Sequence, residues 1–204
     1  MLYANKGVIH LIYLGIGGFV GIGFLILFVV LMAFLIKVYN VLVDLRNKVK
    51  NSWSQIDVQL KRRFDMIPNL VETVKGYAAH EQSILGAFAE ARSLYHRASE
   101  TNDVGLAAQA EKSLGSALGR LIVVQEQYPE LKANSNFKEL MSQLSDTENK
   151  ISYARQFYND TAMKLNNKVE MFPSNIVAGM FSFKQAEYFE ITEASQKEAP
   201  KVKF

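Results

Sequence analysis

Few side chains in this chain stand at spacings that chemistry demands. The pair His80-Glu81 opens like the zinc-protease motif HExxH, but the second ligand position holds Ile84. The other histidines, His10 and His96, are distant in sequence, so a zinc site would have to be assembled from scattered residues. His80 and Glu81 read instead as residues that end one helix and start the next. The absence of cysteine removes disulfides, thiolate metal sites and cysteine nucleophiles. No serine has the GxSxG setting of a hydrolase nucleophile. No GxxxxGK[ST] loop offers nucleotide phosphates a home, and Gly15, Gly17 and Gly21 miss the GxGxxG spacing of a dinucleotide loop. No catalytic residue, metal ligand or cofactor is expected, and neither is enzymatic activity.

One polar pair remains. Glu148 and Arg155 lie seven residues apart on an otherwise apolar helical stripe. Buried polar groups of this kind can fix pairing and register in a bundle at some cost in stability. The expectation is an internal hydrogen-bonded network, with Arg62, Arg63 and Asp65 able to supply partners from another helix.

The elements that position these residues begin with an uncharged run from Gly7 to Ile36, rich in Leu, Ile, Val and Phe. It exceeds the ~20 residues a helix needs to cross a bilayer. It is also longer than the apolar core of a signal peptide, about 7–15 residues, and Lys37-Val38-Tyr39-Asn40 offers no small-x-small cleavage site. The expectation is a single transmembrane helix over residues 7–37, with 1–6 as a short non-cytoplasmic N-terminus. Lys37, Arg46, Lys48 and Lys50 against Asp44 place the remainder in the cytoplasm by the positive-inside rule. Within the run, Gly17 and Gly21 form a small-xxx-small pair on one face, suited to helix packing in lipid.

From Val38 the apolar positions alternate by four and three through Leu42, Leu45, Val49, Ser52, Ile56, Gln59, Arg63 and Ile67, the helical period. The membrane helix is therefore expected to continue into the domain beyond it until Pro68 kinks or ends it. A second helix is expected over about Gln82–Ser99, a polar loop at Glu100–Asp103, and a third helix through Leu114, Leu118, Leu121, Gln125 and Tyr128, ending near Pro129. A fourth starts near Asn134-Ser135-Asn136. It carries the most regular stripe: Phe137, Met141, Leu144, Glu148, Ile151, Arg155, Tyr158, Ala162, Leu165, Val169 and Phe172. Pro173-Ser174-Asn175 ends it. The apolar segment Ile176–Phe183 is too short to span a membrane; Ile176, Val177, Met180, Phe181 and Phe183 are candidates for contact with a partner or with lipid. The fold class is all-α, a single N-terminal membrane helix continuing into a long antiparallel bundle over 38–190, with a flexible tail at 191–204.

The stretch Tyr39–Glu81 is more specific than its periodicity requires. It includes Leu45-Arg46-Asn47, Trp53, Gln55-Ile56-Asp57, Leu60-Lys61-Arg62-Arg63 and Ile67-Pro68-Asn69-Leu70-Val71, then Gly76-Tyr77 and His80-Glu81. With Tyr128-Pro129, Thr147-Glu148-Asn149, Ala154-Arg155, Tyr158-Asn159 and Phe172-Pro173-Ser174, it resembles the LemA family of bacterial membrane-anchored helical proteins. The resemblance covers nearly all of Tyr39–Phe189. It implies one N-terminal span in the bacterial cytoplasmic membrane, a helical bundle and no enzymatic activity. It also implies relatives that act in building magnetosome membranes or are linked with membrane proteases.

Two functions are consistent with these features. One is a self-associating scaffold, a homo-oligomer that organises or shapes the bilayer. The other is an adaptor that binds a membrane protein partner such as an envelope protease. The net charge of +3 is too small and too interspersed to point to nucleic acid, and no small-molecule substrate is evident.

Overall fold

The computed structural model describes residues 21–78 and 81–190 in full and the backbone of 2–20 as helix. The described residues form seven helices and no strand: α1 (Leu2–Asp65), α2 (Ile67–Lys75), α3 (Gln82–Thr101), α4 (Val104–Gln125), α5 (Pro129–Ala133), α6 (Ser135–Glu170) and α7 (Ser174–Met180). The uncharged run and the stripe from Val38 belong to one helix, since no helix-breaking residue stands between Ile36 and Val38. Pro68 sets its end. Proline has no N–H for the carbonyl of Phe64 and its ring collides there. The helix breaks at Met66, and Pro68 sits in the first turn of α2, where proline is tolerated.

The chain divides into two compact units. The larger comprises Leu45–Asn166 and the residues from Gln185. Its core joins Ile56, Leu60 and Phe64 of α1 with Leu70, Phe88, Leu114, Leu121, Phe137, Leu144, Ile151 and Leu165. The ring of Phe64 stacks on Tyr95 of α3, centroids 4.4 Å apart and planes within 4° of parallel. Buried Ala107, Ala110 and Ala117 on α4 and Ala91 on α3 let neighbouring backbones approach closely. A bundle is the result.

The connections are tighter than expected. Instead of a four-residue loop at Glu100–Asp103, Asn102 adopts a left-handed conformation (φ 52°), which short polar side chains tolerate. Asp103 then caps α4, its carboxylate accepting the Leu106 N–H at 2.8 Å. Pro129 does not end the third helix; it opens α5. Asn134 starts α6 by accepting the Phe137 N–H at 2.9 Å, an N-cap of the usual kind. The stripe of α6 is buried or half-buried from Phe137 to Val169, but Phe172 is 79% exposed. The repeat loses its inward face there because the helix has already ended at Glu170.

After α7, residues 185–190 of the larger unit are neither helix nor strand. The smaller unit comprises the residues up to Asp44 together with Asn167–Lys184. Here α7 closes by a Schellman pattern with Ser182 left-handed at φ 54°. Phe183 N–H donates to Ala178 C=O at 2.9 Å, and Ser182 N–H to Gly179 C=O at 3.2 Å. The tail expected at 191–204 and the residue His80 lie outside the described residues.

Candidate functional site

The larger unit holds a charged cluster in its core. Arg63 enters from α1 and is only 4% exposed. Its guanidinium donates to the carboxylates of Glu111 on α4 and Glu148 on α6. Glu111 is as deeply buried as Arg63, whereas the Glu148 side chain is 44% exposed. Burial pulls the Arg63 pKa below its ordinary value, while the charge of Glu148 and its hydrogen bond oppose that shift. Buried charge is costly unless paired, and three helices meet here to pair it. Pairing is incomplete, since Gln59 Oε1, Arg63 Nε and Glu111 Oε2 are buried without partners.

Arg155, grouped with Glu148 on sequence, stands outside this cluster. It is half-buried on α6, seven residues and so ~10 Å further along the helix, and Arg63 takes the Glu148 carboxylate instead. Glu111 completes the cluster, although sequence reasoning misses it. The signal exists: Ala107, Glu111, Leu114, Leu118 and Leu121 keep the same four-three alternation, all buried.

A second arrangement holds residues 185–190. Asn166 donates from Nδ2 to Ala186 C=O at 2.9 Å and accepts Ala186 N–H at 2.7 Å. Seven residues earlier, Asn159 treats Phe189 in the same way, at 3.1 and 2.9 Å. Tyr158 donates to Glu187 C=O at 2.7 Å, and Phe189 buries its ring near Trp53, 6.0 Å between centroids. Two side-chain amides thus read main chain alone, as a strand edge would. An open groove of about 580 Å³ lies between α1 and α6, lined by Val58, Gln59, Lys150, Tyr153 and Phe157 among others. Val58, Tyr153 and Phe157 are more than half exposed.

In the smaller unit, every described side chain from Gly21 to Ile36 except half-buried Leu35 is exposed, although nearly all are apolar. This helix is long and apolar enough to cross a membrane. A Cβ placed on Gly21 meets nothing within 4 Å, so that face is open; Gly17 lies outside the residues with described side chains. Of the five apolar residues expected from sequence as contacts, the structure splits the set. Val177 and Phe183 are buried at 0% and 9% exposure. They are core rather than contact residues, because the Schellman turn folds Phe183 back onto its own unit. Ile176, Met180 and Phe181 remain more than half exposed, and Phe181 packs on Tyr39 of α1 with centroids 4.7 Å apart.

The pattern that defines the LemA family matches residues 52–204. The chain belongs to the LemA family. Among its relatives, Magnetosome protein MamQ 2 of Paramagnetospirillum magneticum is 29% identical over 79% of this chain and 68% of its own length. Magnetosome protein MamQ of Magnetospirillum gryphiswaldense is 27% identical over 74% of this chain and 64% of its own length. Protein LemA of Metamycoplasma hominis is 27% identical over 83% and 78%. The family match covers the Arg63–Glu111–Glu148 cluster, the paired asparagines and α7 alike.

Proposed function

We propose that this LemA-family protein is a non-enzymatic, single-pass membrane protein that self-associates to organise or shape the bacterial cytoplasmic membrane, with its bundle on the cytoplasmic side. The observation that carries the reading is the exposed apolar part of α1, continuous in one helix with a bundle segment. Uncovered apolar side chains on this scale belong in lipid. A membrane role also fits the names of its relatives, magnetosome proteins. Self-association draws on the open face at Gly21, where a second helix can approach its backbone closely. Basic residues after the span orient it.

The test uses the purified full chain in liposomes, labelled separately with donor and acceptor dyes. Energy transfer between copies is expected, and Gly17→Ile with Gly21→Ile should reduce it. Absence of transfer at protein densities where the chain is intact would contradict self-association.

The second reading is an adaptor for a membrane protein, favoured by the groove between α1 and α6 with its exposed Val58, Tyr153 and Phe157. Under that reading the purified chain gives no transfer, and Tyr153→Ser removes a partner that co-purifies from the native membrane.

A further inference from the structure

We propose that α7 makes a second membrane contact, lying in the headgroup–acyl boundary beside the point where α1 leaves the bilayer. This rests on α1 crossing the membrane. The sequence locates the exit. From Leu14 to Ile36 no side chain is polar, and Lys37 is the first charge after it. Twenty-three helical residues rise ~35 Å, enough to cross the ~30 Å of a hydrocarbon core, and Lys37 puts the end of that core near Ile36. Tyr39 comes three residues later, ~4.5 Å along the axis, at the depth where aromatic belts collect.

The packing then fixes the depth of α7. Tyr39 meets Phe181 at 4.7 Å and Phe183 at 5.9 Å between ring centroids, which holds the end of α7 level with the exit. Val177, Ala178 and Phe183 are buried. Ile176, Met180 and Phe181 face outward at 54%, 65% and 53% exposure, joined by Met171 and Phe172 at 62% and 79%. Five large apolar side chains so close together exceed the scattered exposure ordinary for a water-facing surface. Short elements with one apolar face seat themselves ~5–10 Å into this boundary. Continuity with the span decides the occupant: the nearest apolar phase to α7 is the one α1 already occupies.

The test exploits the lack of cysteine. Single cysteines replacing Met180, Phe28 or Lys150 are spin-labelled in the full chain in liposomes. Relaxation by oxygen, which concentrates in lipid, is compared with relaxation by a nickel chelate, which stays in water. Phe28→Cys marks the span and Lys150→Cys the aqueous bundle surface. The expected result is an oxygen-to-nickel ratio at Met180→Cys several-fold above that at Lys150→Cys and below that at Phe28→Cys. A ratio equal to that of Lys150→Cys, with Phe28→Cys still lipid-exposed, overturns the α7 contact and leaves the span intact. Shielding of Met180→Cys from both reagents overturns it in favour of a protein cover. A water-exposed Phe28→Cys overturns the span itself and the α7 contact with it.

Discussion

At the residue scale, the buried charges set the sharpest expectations. Arg63 and Glu111 are both nearly sealed from water, and Glu148 is half open. Glu111→Gln leaves a buried guanidinium without its buried counter-charge, a change that costs ~3–5 kcal/mol in comparable sites. Glu148→Ala should lower the melting temperature less, because water reaches that carboxylate. Thermal unfolding of the two variants checks the order, and an unchanged melting temperature for both would sink the network. Tyr158 offers a pH test. Its phenol is pushed up to about 12, chiefly by burial and then by the Glu187 charge, against ~10 in an unfolded chain. A pKa raised on folding stabilises the folded form below the unfolded pKa, and that stability is lost as pH rises from about 10 to about 12. Tyr158→Phe should begin less stable by ~1 kcal/mol, having lost the bond to Glu187 C=O. It should then lose less over that alkaline window in a melting-temperature titration.

At the element scale, α6 works as a rail for residues 185–190. Asn159 and Asn166 each satisfy both main-chain groups of one residue. Replacing both by Ala removes four hydrogen bonds worth ~1 kcal/mol each at most, and should free Phe189 from Trp53. Because Trp53 is the sole tryptophan, its emission should shift to the red in the double variant; an unshifted spectrum would contradict the rail. Much of the helical layout is legible in the sequence. Pro68 marks the end of α1, Asn134 the start of α6, and the four-three stripes the buried faces. The features that sequence hides have physical causes. Pro129 suits the first turn of a helix as well as the end of one, so its role depends on whether the residues after it turn helical again. Glu111 is hidden because a carboxylate on a stripe reads as a solvated exception until an arginine arrives from another helix. The paired asparagines bind main chain, which carries no side-chain signature. Val177 is buried with Ser174 and Ala178 on one face of α7, and Phe183 turns inward only past a left-handed Ser182, which sequence period does not reveal.

At the scale of the whole molecule, function stems from where apolar surface is left uncovered. The bundle buries its stripes internally, so the stripes by themselves ask for no partner. Among the described residues, much of the uncovered apolar surface lies on α1, on α7 and in the groove between α1 and α6. Lipid covers the first two in this account, and another copy meets the open glycine face. The most direct measurement is the native mass of the full-length protein, extracted gently in mild detergent from its own membrane, with co-purifying chains identified. The expected result is a species several times the 23.0 kDa of one chain that contains only this chain. A single copy carrying a stoichiometric foreign protein, or a lone monomer, would contradict self-association as the basis of its function.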